Sequence, residues 1–303
     1  MNTLKAALMG QLSGQNMRKH NEILIPVIFV LLWSTGFIGA RYAMPHAEPA
    51  SFLSLRFGLV TMLFGAYALF TGSLKHLSAR DVFHLSVTGF LIHGVYLGGV
   101  FVAIYHGLEA GTSALIVGIQ PVLTAFLAVP LLGERVRGVQ WLGLVLGCAG
   151  VALVVMNKLE AGLGTPFGVW LSIVALFAIA IGALYQKKYC QKVPILTGAV
   201  VQFGAATLAM VLIAGLFESW TITWTHELIL SLLWLVVVLS VGATSLLMVL
   251  IKQGAATNVA SLFFLVPPVT ALTAWIVFGE TFGLLSILGM AFVVAAVVLV
   301  NRA

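Results

Sequence analysis

Two ionisable side chains stand inside long apolar stretches of the sequence. Arg56 follows the start of the stretch Ser51–Phe70, and His93 lies in the middle of Val82–Tyr105. A guanidinium could hold a solute carboxylate by paired hydrogen bonds, and an imidazole titrates near neutral pH and could pass a proton. The structural alternatives are an arginine that extends to the end of its helix or binds carbonyls at a helix end, and a neutral, hydrogen-bonded core histidine. We favour these alternatives and keep the functional interpretations open.

Four further side chains are candidates for the wall of a binding cavity. Tyr96 follows His93 by three positions, so the two residues share nearly one helix face. Trp33, Gln120 and Gln202 each occupy the middle of an apolar stretch. An indole could wall a cavity while the amides select the polar end of a solute. Packing between helices explains these residues nearly as well.

Three prolines interrupt the stretches that contain them. Pro121, Pro267 and Pro268 each remove a backbone donor and free a carbonyl, which allows a bend. Breaks at corresponding positions of two halves are typical of transporter sites, so we treat these prolines as hinge candidates. Static kinks, with the freed groups satisfied by neighbouring helices, are the alternative.

The acidic residues and known motifs argue against several kinds of chemistry. All nine Asp and Glu residues fall in loops or at the ends of apolar stretches, so a proton relay through a mid-membrane carboxylate is not expected. The sequence has no GxxxxGK[ST] loop and no HExxH motif. We therefore expect no ATP hydrolysis, no metal site and no cofactor, and the lack of clustered catalytic groups argues against an enzyme.

Composition indicates that these residues are positioned by membrane-spanning helices. Only 8% of the 303 residues are charged and 61% are hydrophobic, whereas soluble domains carry about 25% charged residues. Each apolar stretch could cross the hydrocarbon core as a helix, and the stretches lack the alternation of a membrane barrel. We predict an all-α membrane protein with ten transmembrane helices, over Ile23–Ala40, Ser51–Phe70, Val82–Tyr105, Thr112–Leu132, Gly138–Met156, Gly168–Gln186, Ile195–Phe217, Leu228–Ile251, Thr257–Phe278 and Leu284–Val300.

The basic residues predict the orientation of the chain in the membrane. With the N-terminus in the cytoplasm, 12 Lys and Arg residues fall in inside segments, and only Arg41 and Lys158 fall outside. This asymmetry follows the positive-inside rule and explains the net charge of +6 without nucleic acid as a partner. We read residues 1–22 as a cytoplasmic tail and expect both termini to be cytoplasmic.

A comparison of the chain with itself at an offset of 146 reveals an internal repeat. Pro121 matches Pro267, and the dipeptide Gly133-Glu134 matches Gly279-Glu280. An odd number of helices per copy inverts the second copy, so we predict two inverted-topology five-helix repeats, residues 23–158 and 166–303. We expect Glu134 and Glu280 to have structural roles, such as binding helix N-termini. Glycines in Gly138–Met156 predict close helix packing, within the chain or across a homodimer.

Several segments resemble the EamA family of the drug/metabolite transporter superfamily. They are Gly111-Thr112-Ser113-Ala114 through Gln120-Pro121 to Leu132-Gly133-Glu134-Arg135, Asn258-Val259-Ala260 through Pro267-Pro268 to Gly279-Glu280, Trp33-Ser34-Thr35-Gly36-Phe37, and Arg56-Phe57. The resemblance implies a ten-helix, two-repeat carrier, typically an exporter of amino acids, related metabolites or drugs. It also implies a central cavity lined by helices one, three, four, six, eight and nine.

We therefore predict a secondary transporter that exports a small metabolite, an amino acid or a related compound, across the inner membrane by alternating access. Its expected partners are that solute and membrane lipids. A multidrug exporter of the same fold, an uncoupled channel, a membrane-embedded enzyme and a non-transporting scaffold are the alternatives.

Overall fold

The computed structural model describes residues 24–132, 138–160, 164–243, 246 and 265–302, and its regular elements there are helices. In chain order these are α1 (Leu24–Ala43), α2 (Pro49–Phe70), α3 (Ala79–Tyr105), α4 (Ala110–Val117), α5 (Gln120–Leu132), α6 (Gly138–Glu160), α7 (Pro166–Tyr189), α8 (Ile195–Phe217), α9 (His226–Ala243), α10 (Val266–Phe278) and α11 (Leu284–Arg302). The predicted all-helical class is confirmed for these residues. The predicted tail and Glu134 lie outside them.

The described helices suit a lipid environment. Seven helical segments are long and apolar enough to cross a membrane, and shorter apolar helices lie within α6, α10 and α11. Large apolar side chains face outward; Phe70 is 91% exposed and Leu216 is 74% exposed. Water would disfavour so much exposed apolar surface, whereas lipid accommodates it. The chain is a multi-pass membrane protein, and the count of ten spans remains a prediction.

The loops between the helices gather at two opposite ends of the bundle. At one end the loops 44–48 and 218–225 are joined, because Thr223 N–H donates to the carbonyl of His46. We call this the glutamate end, since Glu48, Glu109, Glu218 and Glu280 lie there. At the other, the lysine end, the Thr197 hydroxyl at the start of α8 donates to the carbonyl of Ser73 in the loop 71–78.

Local signals in the sequence explain where several helices begin. Ser78 and Asp81 form a capping box at the start of α3, in which each side chain satisfies a backbone N–H of the other residue. Thr165 and Thr225 cap α7 and α9 in the same general way. Pro49 opens α2, where its missing N–H costs nothing.

The helices pack in pairs taken from the two halves of the chain: α2 with α8, α4 with α10, α3 with α7, and α6 with α11. The backbones of α6 and α11 touch at two glycines. A β-carbon added to Gly150 would lie 2.6 Å from the carbonyl oxygen of Gly289, and one added to Gly289 would lie 2.5 Å from that of Gly150. Gly147 faces Ala296 in the same interface. The close packing predicted for the glycines of α6 is confirmed for Gly147 and Gly150, which contact α11 of the same chain.

Two features depart from the simple helices predicted from hydropathy. The stretch Thr112–Leu132 is broken by a turn at Gly118 and Ile119, just before Pro121. Helices α3 and α9 each contain a π-helical segment, Phe90–Leu97 and Trp234–Ala243. Such segments are rare and occur often at functional sites.

Candidate functional site

A cavity of about 310 Å³ lies between α1, α2, α3, α5, α7, α8 and α9. This volume is at the lower end of the range of ligand pockets, roughly 300–1,000 Å³. Its wall is mostly apolar, and besides the indole of Trp33 its polar side chains are Arg56, His93, Tyr96, Gln120, Gln186 and Ser240. None of them is acidic. Among the described residues the wall therefore carries one permanent positive charge, that of Arg56.

Both π-helical segments contribute to the wall of this cavity. His93 and Tyr96 come from the segment in α3, and Leu239 and Ser240 come from the segment in α9. The Ser240 hydroxyl donates to the carbonyl of Leu235, five residues earlier, at 2.9 Å. This bond fixes the hydroxyl and leaves its lone pairs available to accept a hydrogen bond inside the cavity.

Arg56 lies about two turns into α2 from the glutamate end. Its side chain is only 3% exposed, so it does not extend to the end of the helix, and the interpretation that it does so is wrong. One terminal nitrogen donates to the hydroxyl of Ser240 at 3.4 Å. The guanidinium carbon lies 5.8 Å from the ring centre of Phe57 and 5.9 Å from that of Phe101. The buried Nε has no hydrogen-bond partner.

Aromatic rings form the wall beside this charge. The imidazole of His93 stacks on Phe203 of α8, with ring centres 4.0 Å apart and an interplanar angle of 20°. The ring centre of Phe57 lies 5.9 Å from that of His93 and 5.9 Å from that of Phe203. Phe101 stacks on Phe52, with the two ring centres 5.8 Å apart. The cavity thus offers flat apolar surfaces beside a cation.

The exposure of the wall changes from one end to the other. Gln186, near the lysine end of α7, is exposed, and Ala183 one turn deeper is half-buried. Arg56 and Phe101, nearer the glutamate end, are buried. The described lining residues are therefore more exposed toward the lysine end than toward the glutamate end.

Two carboxylates hold loops together at the covered end. Glu218, which follows α8, accepts hydrogen bonds from the backbone N–H groups of Ala50 and Ser51 at 2.8 and 2.7 Å. These groups belong to the first turn of α2, where a negative charge is favourable. In return, Glu48 accepts from the N–H of Thr221 at 2.9 Å. The start of α2 and the loop after α8 are thus bound in both directions.

Glu280 has the same role between α10 and α4. Its carboxylate accepts hydrogen bonds from the N–H groups of Ala110 and Gly111 at 3.0 and 3.1 Å, which confirms the predicted binding of a helix N-terminus. Glu280 is 4% exposed. Burial raises its pKa above the usual glutamate value and the nearby Glu109 adds to this rise, while the hydrogen bond from Gly111 opposes it.

The structure brings five of the six cavity candidates together. Trp33, Arg56, His93, Tyr96 and Gln120 line the cavity. Gln202 does not line it: this residue is buried, and its backbone carbonyl faces Gly89 of α3. Pro121 and Pro267 line a small adjoining recess of about 30 Å³ that shares Trp33, Tyr96 and Gln120 with the main cavity, and Pro268 lines neither. The predicted lining did not include the second and seventh predicted stretches, which correspond to α2 and α8 and contribute Arg56 and Phe203.

Phe101, Gln186, Phe203 and Ser240 are among the cavity residues that sequence reasoning missed. The internal repeat held a signal for Phe203, because Arg56-Phe57 falls opposite Gln202-Phe203 in the two copies. The sequence contains no comparable signal for Ser240, since small hydroxyl residues are common in membrane helices and bond there to their own backbone.

Comparison with known proteins places this chain in a family. A sequence model of the EamA-like transporter family matches the chain twice, over residues 21–156 and 166–302. "Uncharacterized transporter YvbV" of Bacillus subtilis (strain 168) is 25% identical over 95% of this chain and 93% of its own. "Uncharacterized inner membrane transporter YedA" of Escherichia coli (strain K12) is 26% identical over 89% and 87%.

Two further matches agree with these. "Probable amino-acid metabolite efflux pump" of Escherichia coli (strain K12) is 25% identical over 88% of this chain and 90% of its own. A solved crystal structure matches with a TM-score of 0.65 and 21% identity, over 91% of this chain and 94% of that one, which shows a shared fold alone. With the family model matching nearly all of its length, this chain belongs to the EamA-like transporter family.

Proposed function

We propose that this chain is a secondary carrier that exports a small metabolite, an amino acid or a related compound, across the inner membrane by alternating access. The observation that carries the proposal is the cavity, whose wall is exposed toward the lysine end and buried toward the glutamate end. Access from one side at a time distinguishes a carrier from an open channel. The printed name of the amino-acid metabolite efflux pump supports the solute class and the direction.

The architecture that serves this function is ten spans in two inverted five-helix repeats, residues 23–158 and 166–303. The double match of the family model supports the repeat. The pairs α2–α8 and α6–α11 join helices that correspond to each other in the two copies. The π-helical segments of α3 and α9 also correspond, at the same offset of about 146 residues. Corresponding halves around a central site are a recurring plan of secondary carriers.

The solute site comprises Trp33, Arg56, His93, Tyr96 and Gln120, which face one cavity. Pro121 and Pro267 serve as hinges, because each stands beside the cavity where a helix begins. Proline leaves a carbonyl without its usual partner, so the adjoining backbone bends at lower cost.

The lysine end faces the cytoplasm in this proposal, and both termini lie on that side. Lys75 and Arg80 of the first half and Lys187, Lys188 and Lys192 of the second lie at this end, as the positive-inside rule requires. Labelling of single cysteines introduced at Ser73 and at Ser219 tests the orientation in intact cells. We expect an impermeant thiol reagent to label the second position alone, and labelling of the first alone would reverse the assignment.

Counterflow in proteoliposomes tests the transport function. Vesicles loaded with an unlabelled amino acid or metabolite should accumulate the labelled compound transiently, and protein-free vesicles should not. Export of structurally unrelated cations instead would identify a multidrug carrier. If folded protein exchanges no solute from a broad metabolite panel, the carrier proposal fails.

A further inference from the structure

The charge of the cavity limits which solutes it can bind. Arg56 is buried in the wall, and no acidic residue is among the described lining residues. An isolated charge in a membrane protein costs several kcal/mol unless a partner or water satisfies it. The Ser240 hydroxyl accepts one hydrogen bond from the guanidinium at 3.4 Å. Because serine is neutral, it does not balance the positive charge of Arg56. The described lining residues therefore supply no anion to balance this charge.

One edge of the guanidinium lacks a hydrogen-bond partner that such an anion could supply. The buried Nε has no hydrogen-bond partner, while one terminal nitrogen donates to Ser240. A carboxylate can accept two parallel hydrogen bonds from a guanidinium edge that includes Nε. Ser240 is itself held by the carbonyl of Leu235, so it acts as a positioning residue that fixes the rotation of the guanidinium.

The remaining wall indicates what the anion is attached to. Phe101 lies beside the guanidinium, and the stacked pair of His93 and Phe203 lies within the same cavity. These surfaces suit an apolar or aromatic body. One positive charge balances a monoanion and not a dianionic phosphate. The described wall holds no carboxylate for an ammonium group.

We propose that the cavity binds its solute as a monocarboxylate with an apolar body, with Arg56 as the carboxylate-binding residue and Ser240 as its positioning residue. This inference rests on the proposed carrier function and narrows its solute class. An amino acid fits through its carboxylate and apolar side chain, and a carboxylic acid without an ammonium group fits better.

Binding of matched probes to purified protein tests the charge requirement. The probes are 3-phenylpropionate, its neutral amide, phenylalanine and the cation phenethylamine. We expect 3-phenylpropionate to bind about ten- to a hundredfold more tightly than its amide, as one charge-assisted pair predicts, with phenylalanine between them. Equal binding of acid and amide, or tighter binding of the amine, would overturn the inference. The same binding in chloride-free buffer excludes a site that merely holds chloride.

Variants assign the effect to Arg56. Arg56→Gln should lose about ten- to a hundredfold in affinity for 3-phenylpropionate and leave amide binding unchanged, whereas Arg56→Lys should recover part of the loss. Ser240→Ala should weaken carboxylate binding by a smaller factor, and it keeps the test available if the arginine variants do not fold. Arg80→Gln is the matched control for loss of a positive charge, since Arg80 lies at the exposed start of α3. Retained acid-over-amide selectivity in folded Arg56→Gln would assign the site elsewhere.

Counterflow separates this inference from the carrier proposal. If the amide or the amine exchanges as rapidly as 3-phenylpropionate, the protein is a carrier and the monocarboxylate class is wrong. If no probe and no metabolite in the panel exchanges through folded protein, the carrier function itself is wrong.

Discussion

Replacing Gly89 with alanine tests the position of the cavity through a contact outside it. A β-carbon added to Gly89 would lie 2.7 Å from Cα and 2.8 Å from the carbonyl carbon of Gln202, and closer still to the carbonyl oxygen. Those atoms belong to the backbone of α8 and cannot rotate away. Relief requires α3 and α8 to separate by roughly 0.7 Å, and overpacking of this kind costs about 1–3 kcal/mol. We therefore expect Gly89→Ala to lower the free energy of unfolding by that amount.

The same substitution should weaken ligand binding, because Gly89 stands just before the π-helical segment that carries His93. Gly65→Ala in α2 is the matched control, since nothing lies within 4 Å of its added β-carbon. On helix propensity alone that variant should be neutral or stabilised by up to about 1 kcal/mol. Unfolding followed by tryptophan fluorescence in one detergent compares the two variants. Equal stability would show that α3 does not approach α8 as described, and the cavity between them would then be misplaced.

Three further predictions concern the helix ends and the α6–α11 interface. Glu280→Gln should remove the pH dependence that this carboxyl contributes to the free energy of unfolding. Because the pKa of Glu280 is raised, the folded protein keeps a proton at pH values where the unfolded chain has lost it. The free energy of unfolding of the wild type therefore falls as pH rises from the usual pKa of 4.5 through the raised one, which denaturation at several pH values measures. Glu218→Ala removes two backbone caps at the start of α2 and should cost about 1–2 kcal/mol in a denaturant titration; an unchanged midpoint would mean that water replaces the carboxylate without loss. Gly150→Leu should prevent contact between α6 and α11 and reduce the yield of folded protein by size-exclusion chromatography, whereas Gly215→Ala, with nothing within 4 Å, should not.

Hydropathy predicted the helices well because the cost of an unpaired backbone in lipid permits few other structures. The stretch Ile195–Phe217 coincides with α8. The turn at Gly118 and Ile119 was not predicted, although Pro121 beyond it was noted as a break. The π-helical segment Phe90–Leu97 was not predicted either. Hydropathy counts apolar side chains, and it contains no information about whether an N–H bonds to the fourth or the fifth carbonyl before it.

The site was predictable to the extent that its residues are costly in lipid. Arg56 and His93 stood out because a polar or charged group in a span needs a compensating environment. Phe101 and Phe203 did not, since phenylalanine is equally stable facing lipid or facing a cavity. Gln202 was selected in place of its neighbour because successive helical residues point about 100° apart, and the sequence does not give the rotation of α8.

The contacts at the glutamate end differ in kind from those between α6 and α11, and the difference indicates where a carrier of this fold would open. Glu48 and Glu218 bind backbone N–H groups near the surface, where water can replace each bond at a net cost of about 0.5–1.5 kcal/mol for a neutral pair and somewhat more for a charged one. The contact of Gly150 with Gly289 has no such substitute, because lipid chains cannot fill the narrow groove that a separation would create. Alternating access should therefore part the loops 44–48 and 218–225 while α6 and α11 move as one unit. A disulfide joining those two loops should block exchange, and one joining α6 to α11 should leave it intact; the reverse result would place the moving boundary inside the α6–α11 pair.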